Sequence, residues 1–419
     1  MMTIFLYLSQ KLWSSVSNHC HKNYQYLNQN YWLLLMQKTG SFEVVSDWID
    51  QFPKFPDKFS GISIENPLAS FKNLNENEET SSLATTKLIT RVVGLATKLK
   101  KWLAWRFKQV ASLPSQIVWF FLKIPFIEKN LLYPRYQKYL RDYQNQLPVL
   151  DSIDSKIVDE LQKTGICVTS LESLGLPNTS EFLKAAKRLS QELKEISLLP
   201  VNQGKYEVLA TSAQLMKYKE LFQWGLNDRL LKIVERYLGL PVAYDGLLSV
   251  LSIANGQEIG QRAWHRDRED RRMVKVCVYL NDVTDEGGPF ECLQPEINSL
   301  VCKSIENRYR CVFNEEMKTF FPAASDQVTT CTGAVGTVIF VDTALYYHRG
   351  KPPTQLNRSA IFFSYFSRRP WHPFFCQRSP LSKQERDRLT KGMSSHQRDC
   401  THWTENLPRL IQLIPPSRI

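Results

Sequence analysis

Apolar runs rich in β-branched and aromatic residues predict three strands in the second half of the chain. They cover Met273–Leu280, Gly336–Asp342 and Ser359–Phe366, and their composition is typical of strands. Side chains alternate between the two faces of a strand. If Arg358, at the start of the third run, faces the interior, Ser364 therefore shares its face.

The chain ahead of these strands is predicted to be mainly helical. Periodicity and capping signals predict helices at 154–163, at 181–196 behind the cap Ser180, and at 213–238. A short strand is expected at 166–169.

Composition indicates a globular protein. The 419 residues are 43% hydrophobic, which gives ample material for a buried core. Nine cysteines never form a Cys-x-x-Cys pair, so a zinc cluster is unsupported and reduced thiols in an intracellular compartment are favoured. No uncharged apolar run reaches the roughly 18 residues of a membrane span, and the N-terminus makes a poor signal peptide. We therefore expect a cytoplasmic protein.

The net charge of +12 is concentrated in one segment. Twelve Lys or Arg residues and one acid, Glu128, lie between Lys87 and Arg141, which gives that segment a charge of +11. Apolar residues recur at helical spacing from Leu88 to Val110, and Pro114 is expected to end this basic amphipathic helix.

Three roles are open to the basic segment. We slightly favour a helical appendage that packs its apolar face on the folded domain and leaves its charges solvated. Peripheral contact with an anionic membrane is almost as well supported, since Trp102, Trp105 and Trp119 suit the interface. Nucleic-acid binding is the least favoured role.

The most specific chemical pattern consists of four residues. His265 and Asp267 stand two apart in an extended segment and so point the same way. His348 follows an apolar strand, and Arg358 begins the next. Two imidazoles and one carboxylate can bind one face of a ferrous ion and leave the other open. A buried Arg358 would need an anion, which its planar guanidinium can hold with two parallel bonds.

These residues resemble the 2-oxoglutarate- and iron(II)-dependent oxygenase superfamily, most closely its phytanoyl-CoA dioxygenase-like branch. The resemblance covers roughly 150–375, with the motif confined to 264–366, and includes the turn Gly287-Gly288-Pro289-Phe290. It implies an α+β fold, a double-stranded β-helix (jelly-roll) core with flanking N-terminal and C-terminal helices. The segment 294–331 departs from the family pattern and is expected to be an insertion or an elaborated loop.

The resemblance also implies a chemistry. His265, Asp267 and His348 would bind Fe(II), and Arg358 would bind the far carboxylate of the co-substrate 2-oxoglutarate, with ascorbate as a candidate reductant. Such enzymes release succinate and CO₂ while they oxidise a small-molecule substrate. Because the carboxylate Asp267 is present, hydroxylation is favoured over halogenation. Desaturation and ring formation stay open, because they depend on the position of the substrate and not on the ligands, and a small or lipid-like substrate is expected.

Three further residues are weaker candidates for contact with 2-oxoglutarate. Lys275 and Tyr279 share a strand face, although solvent-facing polar side chains are the more favoured interpretation for both. Ser364 can reach the same carboxylate if it faces inward. The charged turn 268–272 is expected to be solvated and paired internally through Glu269 and Asp270.

Four regions follow from these patterns: a poorly ordered region at 1–82, the basic amphipathic helical segment at 83–146, a jelly-roll oxygenase domain at 147–375 and a helical tail at 376–419. A capping box formed by Ser382 predicts a helix in the tail. Two alternatives to an enzyme stay open. One is a non-catalytic jelly-roll binding protein, and the other is a peripheral membrane protein that acts through its basic segment.

Overall fold

The fold is described from a computed structural model, which covers residues 112–305 and 310–417. The predictions for 1–82 and for the helix up to Val110 lie outside the described residues.

Nine strands form two antiparallel sheets in the described part of the chain. The strands are β1 (Ile166–Ser170), β2 (Glu207–Leu209), β3 (Val242–Ser252), β4 (Val274–Tyr279), β5 (Phe290–Leu293), β6 (Val328–Cys331), β7 (Thr337–Asp342), β8 (His348–Gly350) and β9 (Arg358–Ser367). The larger sheet has the order β1-β7-β4-β9-β3-β2, and the smaller has the order β6-β5-β8.

An isolated antiparallel bridge extends the smaller sheet. His265 pairs with His348 on the free side of β8. The chain therefore alternates between sheets, from β3 to the His265 bridge, to β4, to β5 and β6, to β7, to β8 and finally to β9. Two four-stranded layers joined in this way form a jelly roll, and β1 and β2 lengthen the larger layer. The predicted fold class is confirmed.

The two faces of the larger sheet bury different sets of side chains. Cys277, Tyr279 and Ala360 point toward the smaller sheet and pack with Phe290 and Cys292. The alternate residues of the same strands pack against helices in the largest hydrophobic cluster. One face of β4 and β9 thus lines the space between the sheets, where a ligand has to bind, and the other anchors the helical layer.

The helices lie mainly before β3 and after β9. They are 112–122, Pro125–Ile127, the π-helix Glu128–Leu132, Tyr133–Tyr143, Ser152–Thr164, Leu171–Leu174, Thr179–Ser197, Ser212–Lys217, Lys219–Trp224, Asp228–Leu238, Pro295–Ser304, Asn314–Phe320, Lys383–Leu389, Ser395–Thr401 and Arg409–Gln412. Short 3₁₀ turns occupy Gln144–Gln146, Pro200–Asn202, Gly260–Arg262, Asp285–Gly287, Pro322–Ser325, Pro373–Phe375 and Trp403–Asn406. Among residues 112–305 and 310–417, no helix is long and apolar enough to cross a membrane.

Several helix boundaries differ from the predicted ones. The helix predicted at 213–238 is three helices, because Tyr218 leaves helical geometry and Asn227 caps a new start. Asn178, and not Ser180, is the residue before the helix Thr179–Ser197. Pro114 does not end a helix, since it lies within the helical residues 112–122. The capping box of Ser382 is confirmed.

The charged turn 268–272 is not solvated. Glu269 and Asp270 are buried, with 1% and 4% of their surfaces exposed. Glu269 pairs with Arg378 at 2.7 Å, and Asp270 accepts hydrogen bonds from Ser367. The expected solvation is therefore wrong. Glu269 and Asp270 do accept hydrogen bonds from the amides of Arg268 and Arg271 within the turn, but the charged partners of Glu269 and Arg271 are the distant Arg378 and Glu128.

The segment 294–331, which departs from the family pattern, contains two helices and one strand. Helices Pro295–Ser304 and Asn314–Phe320 pack with Trp264 in a separate hydrophobic cluster. Its last residues form β6, which pairs with β5. The inserted part therefore ends before Val328.

A glycine pair in the turn before β5 allows a matched test of this fold. A side chain at Gly288, whose φ is +69°, would collide with the carbonyl of Lys351 and the backbone of Pro353. At Gly287 the nearest atom would lie at an ordinary 3.7 Å. We expect Gly288→Ala to lower the free energy of unfolding by about 2–4 kcal/mol.

The control Gly287→Ala is expected to change it by less than about 1 kcal/mol. Urea titration of both variants measures the difference, and equal stabilities would contradict the described turn.

Candidate metal centre

Backbone pairing brings the two candidate histidines together. The amide of each residue donates to the carbonyl of the other at 3.0 Å, which holds the imidazole centroids 4.4 Å apart. The amide of Asp267 donates to the carbonyl of Thr343 at 2.8 Å and keeps the chain extended up to the carboxylate. His265 and Asp267 therefore present their side chains on one face, as the spacing predicts.

Backbone carbonyls select the tautomer of both imidazoles. Nδ1 of His265 lies 2.8 Å from the carbonyl oxygen of Ala263, and Nδ1 of His348 lies 3.1 Å from that of Tyr346. A ring nitrogen facing a carbonyl carries the proton, so Nε2 keeps its lone pair. Metal-binding histidines are commonly oriented in this way.

The three candidate donors converge. Ligand atoms of His265, Asp267 and His348 lie within 4.8 Å of one another, and Nε2 of His348 is 3.9 Å from Oδ2 of Asp267. Asp267 and His348 are buried. Two imidazole nitrogens and one carboxylate oxygen are the donor set of mononuclear ferrous sites, so these residues fit a single divalent ion.

Electrostatics keep this site ready for a cation. Burial, and next the neighbouring His265, lower the pKa of His348 to about 3. Burial also lowers the pKa of His265. Burial by itself would raise the pKa of Asp267, but the positive charge of Lys275 leads the effects that hold this pKa well below its usual range. Near pH 7 the site therefore offers two neutral imidazoles and one carboxylate.

Lys275 does not face solvent, so the favoured interpretation of this residue is wrong. Its ammonium lies 2.6 Å from Oδ2 of Asp267, and its side chain is 16% exposed. The contact is an ion pair without hydrogen-bond alignment, and Oδ2 has no hydrogen-bond donor among the described residues. A protein cation thus partners the carboxylate that a metal ion would bind.

Arg358 lies inside the jelly roll, with 4% of its surface exposed. Its Nη1 donates to the carbonyl of Gly288, and a side chain at Gly350 would collide with the guanidinium. Its Nε is buried and has no hydrogen-bond partner among the described residues. A buried cation with unused donor capacity favours an anionic ligand.

The other two candidates also face inward. Ser364 is 7% exposed and pairs in register with Lys275 across β9 and β4. Tyr279 is fully buried, contrary to the favoured solvent-facing interpretation. Its hydroxyl donates to the carbonyl of Cys331 and accepts from the amide of Phe290. The Tyr279 hydroxyl therefore already has two hydrogen-bond partners, whereas the Ser364 hydroxyl has none among the described residues.

Two supporting residues were not predicted from the sequence. Asp342 is fully buried and its carboxylate accepts from the amides of Ala344 and Leu345 and from the hydroxyl of Tyr237. It thereby shapes the turn that leads into His348. A buried strand that ends in Asp before a turn is a sequence signal for such a cap.

Phe290 is the second supporting residue. Its ring stacks on the imidazole of His348 at a centroid distance of 5.6 Å. The turn that ends in Phe290 also supplies the Gly288 carbonyl that holds Arg358. One short segment therefore supports both the candidate metal centre and the candidate anion site.

Comparisons by sequence identify no relative: no protein-family model matches, and no curated protein matches. Solved structures are similar in fold. The non-heme α-ketoglutarate-dependent epimerase SnoN from nogalamycin biosynthesis is 14% identical, with a TM-score of 0.33 over 51% of this chain and 82% of that chain. EctD from S. alaskensis, solved with 2-oxoglutarate and 5-hydroxyectoine, is 17% identical, with a TM-score of 0.39 over 56% and 88%.

HygX from Streptomyces hygroscopicus, solved with nickel and 2-oxoglutarate, is 16% identical, with a TM-score of 0.34 over 52% of this chain and 88% of that chain. The names of these neighbours mention 2-oxoglutarate, also called α-ketoglutarate. The phytanoyl-CoA dioxygenase-like branch stays a prediction. Identities and TM-scores of this size carry no argument about activity, which depends on the geometry of the site.

The ion pair of Lys275 predicts an unusual response to substitution. Lys275→Met leaves the buried Asp267 carboxylate without its cation, so the metal-free protein should lose about 3 kcal/mol of unfolding free energy. Because a metal ion no longer has to displace an ammonium, Co(II) should bind roughly tenfold more tightly, equivalent to about 1.4 kcal/mol.

Calorimetric titration with Co(II) and urea denaturation measure the two effects. The exposed Lys391→Met serves as the control. Unchanged affinity in Lys275→Met would show that Lys275 does not compete for the carboxylate.

Proposed function

We propose that this protein is an Fe(II)- and 2-oxoglutarate-dependent oxygenase that hydroxylates a small or lipid-like molecule. The observation that carries the proposal is the convergence of His265, Asp267 and His348 within 4.8 Å. Both imidazoles have Nδ1 engaged by carbonyls, and the inward-facing Arg358 supplies an anion site nearby.

A bound ferrous ion would let dioxygen oxidise 2-oxoglutarate and the substrate together. One oxygen atom would enter succinate as CO₂ is lost, and the other would enter a C–H bond of the substrate to give an alcohol. The protein residues do the remaining work: His265, Asp267 and His348 hold the ion on one side and leave the opposite side open.

Arg358 would bind the distal carboxylate of 2-oxoglutarate. Its Nε has no hydrogen-bond partner among the described residues, and the Gly288 carbonyl fixes the orientation of the guanidinium. Ser364, on the same inward face of β9, would donate its hydroxyl to the co-substrate. Tyr279 would contribute its ring as a wall, because its hydroxyl is bound to the backbone.

Lys275 would change partner when the metal binds. Lys275, whose ammonium now lies 2.6 Å from the Asp267 carboxylate, would give up that carboxylate to a bound divalent ion. The displaced ammonium would then pair with a carboxylate of 2-oxoglutarate. Lys275 would in this way couple binding of the metal to binding of the acidic co-substrate.

The same ion pair favours one competing function. A lysine that permanently neutralises Asp267 would suit a jelly-roll binding protein that has lost turnover. Such a protein would bind 2-oxoglutarate through Arg358 without forming succinate under any metal loading.

The metal centre is tested by succinate formation. We expect His265→Ala and Asp267→Ala to lose Fe(II) affinity by more than about 100-fold and to form no succinate, since each removes one of three donors. His402→Ala, outside the candidate centre, should retain both properties. Anaerobic Fe(II) titration and succinate release after re-oxygenation provide the readouts. Full iron affinity in His265→Ala would contradict the proposal.

The anion site is tested separately from the metal. Arg358→Ala should raise the KM for 2-oxoglutarate by about 10- to 100-fold, because a buried carboxylate loses a charge-assisted pair. Its anaerobic Fe(II) affinity should not change, and the exposed Arg398→Ala should resemble wild type. An unchanged KM in Arg358→Ala would remove Arg358 from the site.

A further inference from the structure

An apolar surface lies exposed along the helical segment before the jelly roll. Phe120 and Phe126 are 68% and 69% exposed, and Leu131 is 59% exposed. Leu113, Ile117, Phe121 and Tyr133 also count among the exposed large hydrophobic residues. We call the residues Leu113, Ile117, Phe120, Phe121, Phe126, Leu131 and Tyr133 the apolar ridge.

The segment that carries the apolar ridge is not detached from the domain. On its other side, the ring of Trp119 packs edge-on against Phe375 at 5.5 Å. The hydroxyl of Tyr143 donates to Glu235 at 2.6 Å. The described part of the basic segment therefore packs against the domain through Trp119 and Tyr143 and leaves the apolar ridge outside.

The charge around the apolar ridge has one sign. Lys123, Lys129, Arg135 and Lys138 are exposed along the same segment. The single acid among residues 112–141, Glu128, is neutralised by Arg271 at 2.5 Å. Large apolar side chains interleaved with exposed cations are complementary to a surface of apolar chains and anionic headgroups.

The segment also lies beside the turn 268–272, which follows the candidate ligand Asp267. The guanidinium of Arg268, the residue after Asp267, is 6.0 Å from the ring of Trp119 and 5.1 Å from that of Phe375. Arg271 of the same turn lies 5.1 Å from the ring of Tyr136. A surface that receives this segment therefore comes close to the turn that follows a candidate metal ligand.

We propose that residues 112–138 form a docking surface for an anionic lipid membrane. The apolar ridge would enter the boundary between headgroups and acyl chains, and the surrounding lysines and arginines would contact headgroup phosphates. A membrane fits better than a second copy of this chain, because two copies would bring their exposed lysines and arginines together. The inference stands independently of the oxygenase activity.

The test uses the full-length protein and vesicles of phosphatidylcholine with and without phosphatidylserine. Wild type should co-sediment with the anionic vesicles, and binding should weaken at high salt because screening shortens to about 3 Å at 1 M. The double variant Phe120→Ser/Phe126→Ser should bind anionic vesicles about tenfold or more weakly. The matched control Leu198→Ser/Val201→Ser removes two residues that are 80% and 76% exposed elsewhere, and it should bind like wild type.

Fe(II) affinity of the phenylalanine variant should equal that of wild type, which separates this test from that of the metal centre. Absence of wild-type binding to anionic vesicles would overturn the proposal, as would equal binding by the two double variants. A wild-type dimer that Phe120→Ser/Phe126→Ser converts to a monomer would also overturn it, because a second copy would then cover the apolar ridge.

Discussion

The candidate centre depends on one antiparallel bridge between two segments that are far apart in sequence. His265 and His348 exchange amide-to-carbonyl hydrogen bonds of 3.0 Å at the edge of the smaller sheet. The bridge fixes both backbones, so the two imidazoles and the carboxylate two residues after His265 have to share one face. Carbonyls two residues before each histidine then orient the rings. Every proposed property of the site requires this pairing.

Burial of charged side chains at the site lowers the stability of the fold, and ion pairs with neighbouring residues offset part of this loss. Asp267, Glu269 and Arg358 are all at most 6% exposed. Isolated buried charges of this kind would destabilise the fold. Lys275 partners Asp267, and Arg378 partners Glu269, whereas Arg358 retains unused donor capacity. The unused donor of Arg358 favours binding of an anion, whereas a metal ion at Asp267 would have to displace Lys275.

The sequence predicted the parts of the fold whose signals are local. β4, β7 and β9 follow the apolar runs closely because their buried residues are large and continuous. β8 contains only His348–Gly350 and has no strand composition, so only its pairing with β5 defines it. The helix predicted at 213–238 ran through Tyr218 and Asn227, where local backbone geometry and capping prevail over periodicity.

The candidate ligands could be predicted because the spacing of His265 and Asp267 carries geometric information. The pairing of Lys275 with Asp267 could not be predicted. The alternation of side chains along a strand assigns Lys275 to one face but does not show which residue lies opposite it. The buried turn around Glu269 likewise depends on Arg378, more than 100 residues away. Charge patterns indicate solvation only where no distant segment supplies a counterion.

The most direct measurement is an anaerobic crystal structure of the protein loaded with Fe(II) and 2-oxoglutarate. We expect one anomalous scattering peak at an ion bound by Nε2 of His265, Nε2 of His348 and a carboxylate oxygen of Asp267, with the distal carboxylate of the co-substrate on Arg358. An ion bound elsewhere would contradict the proposed centre. So would a crystal prepared with Fe(II) and 2-oxoglutarate in which no ion binds and Lys275 still pairs with Asp267.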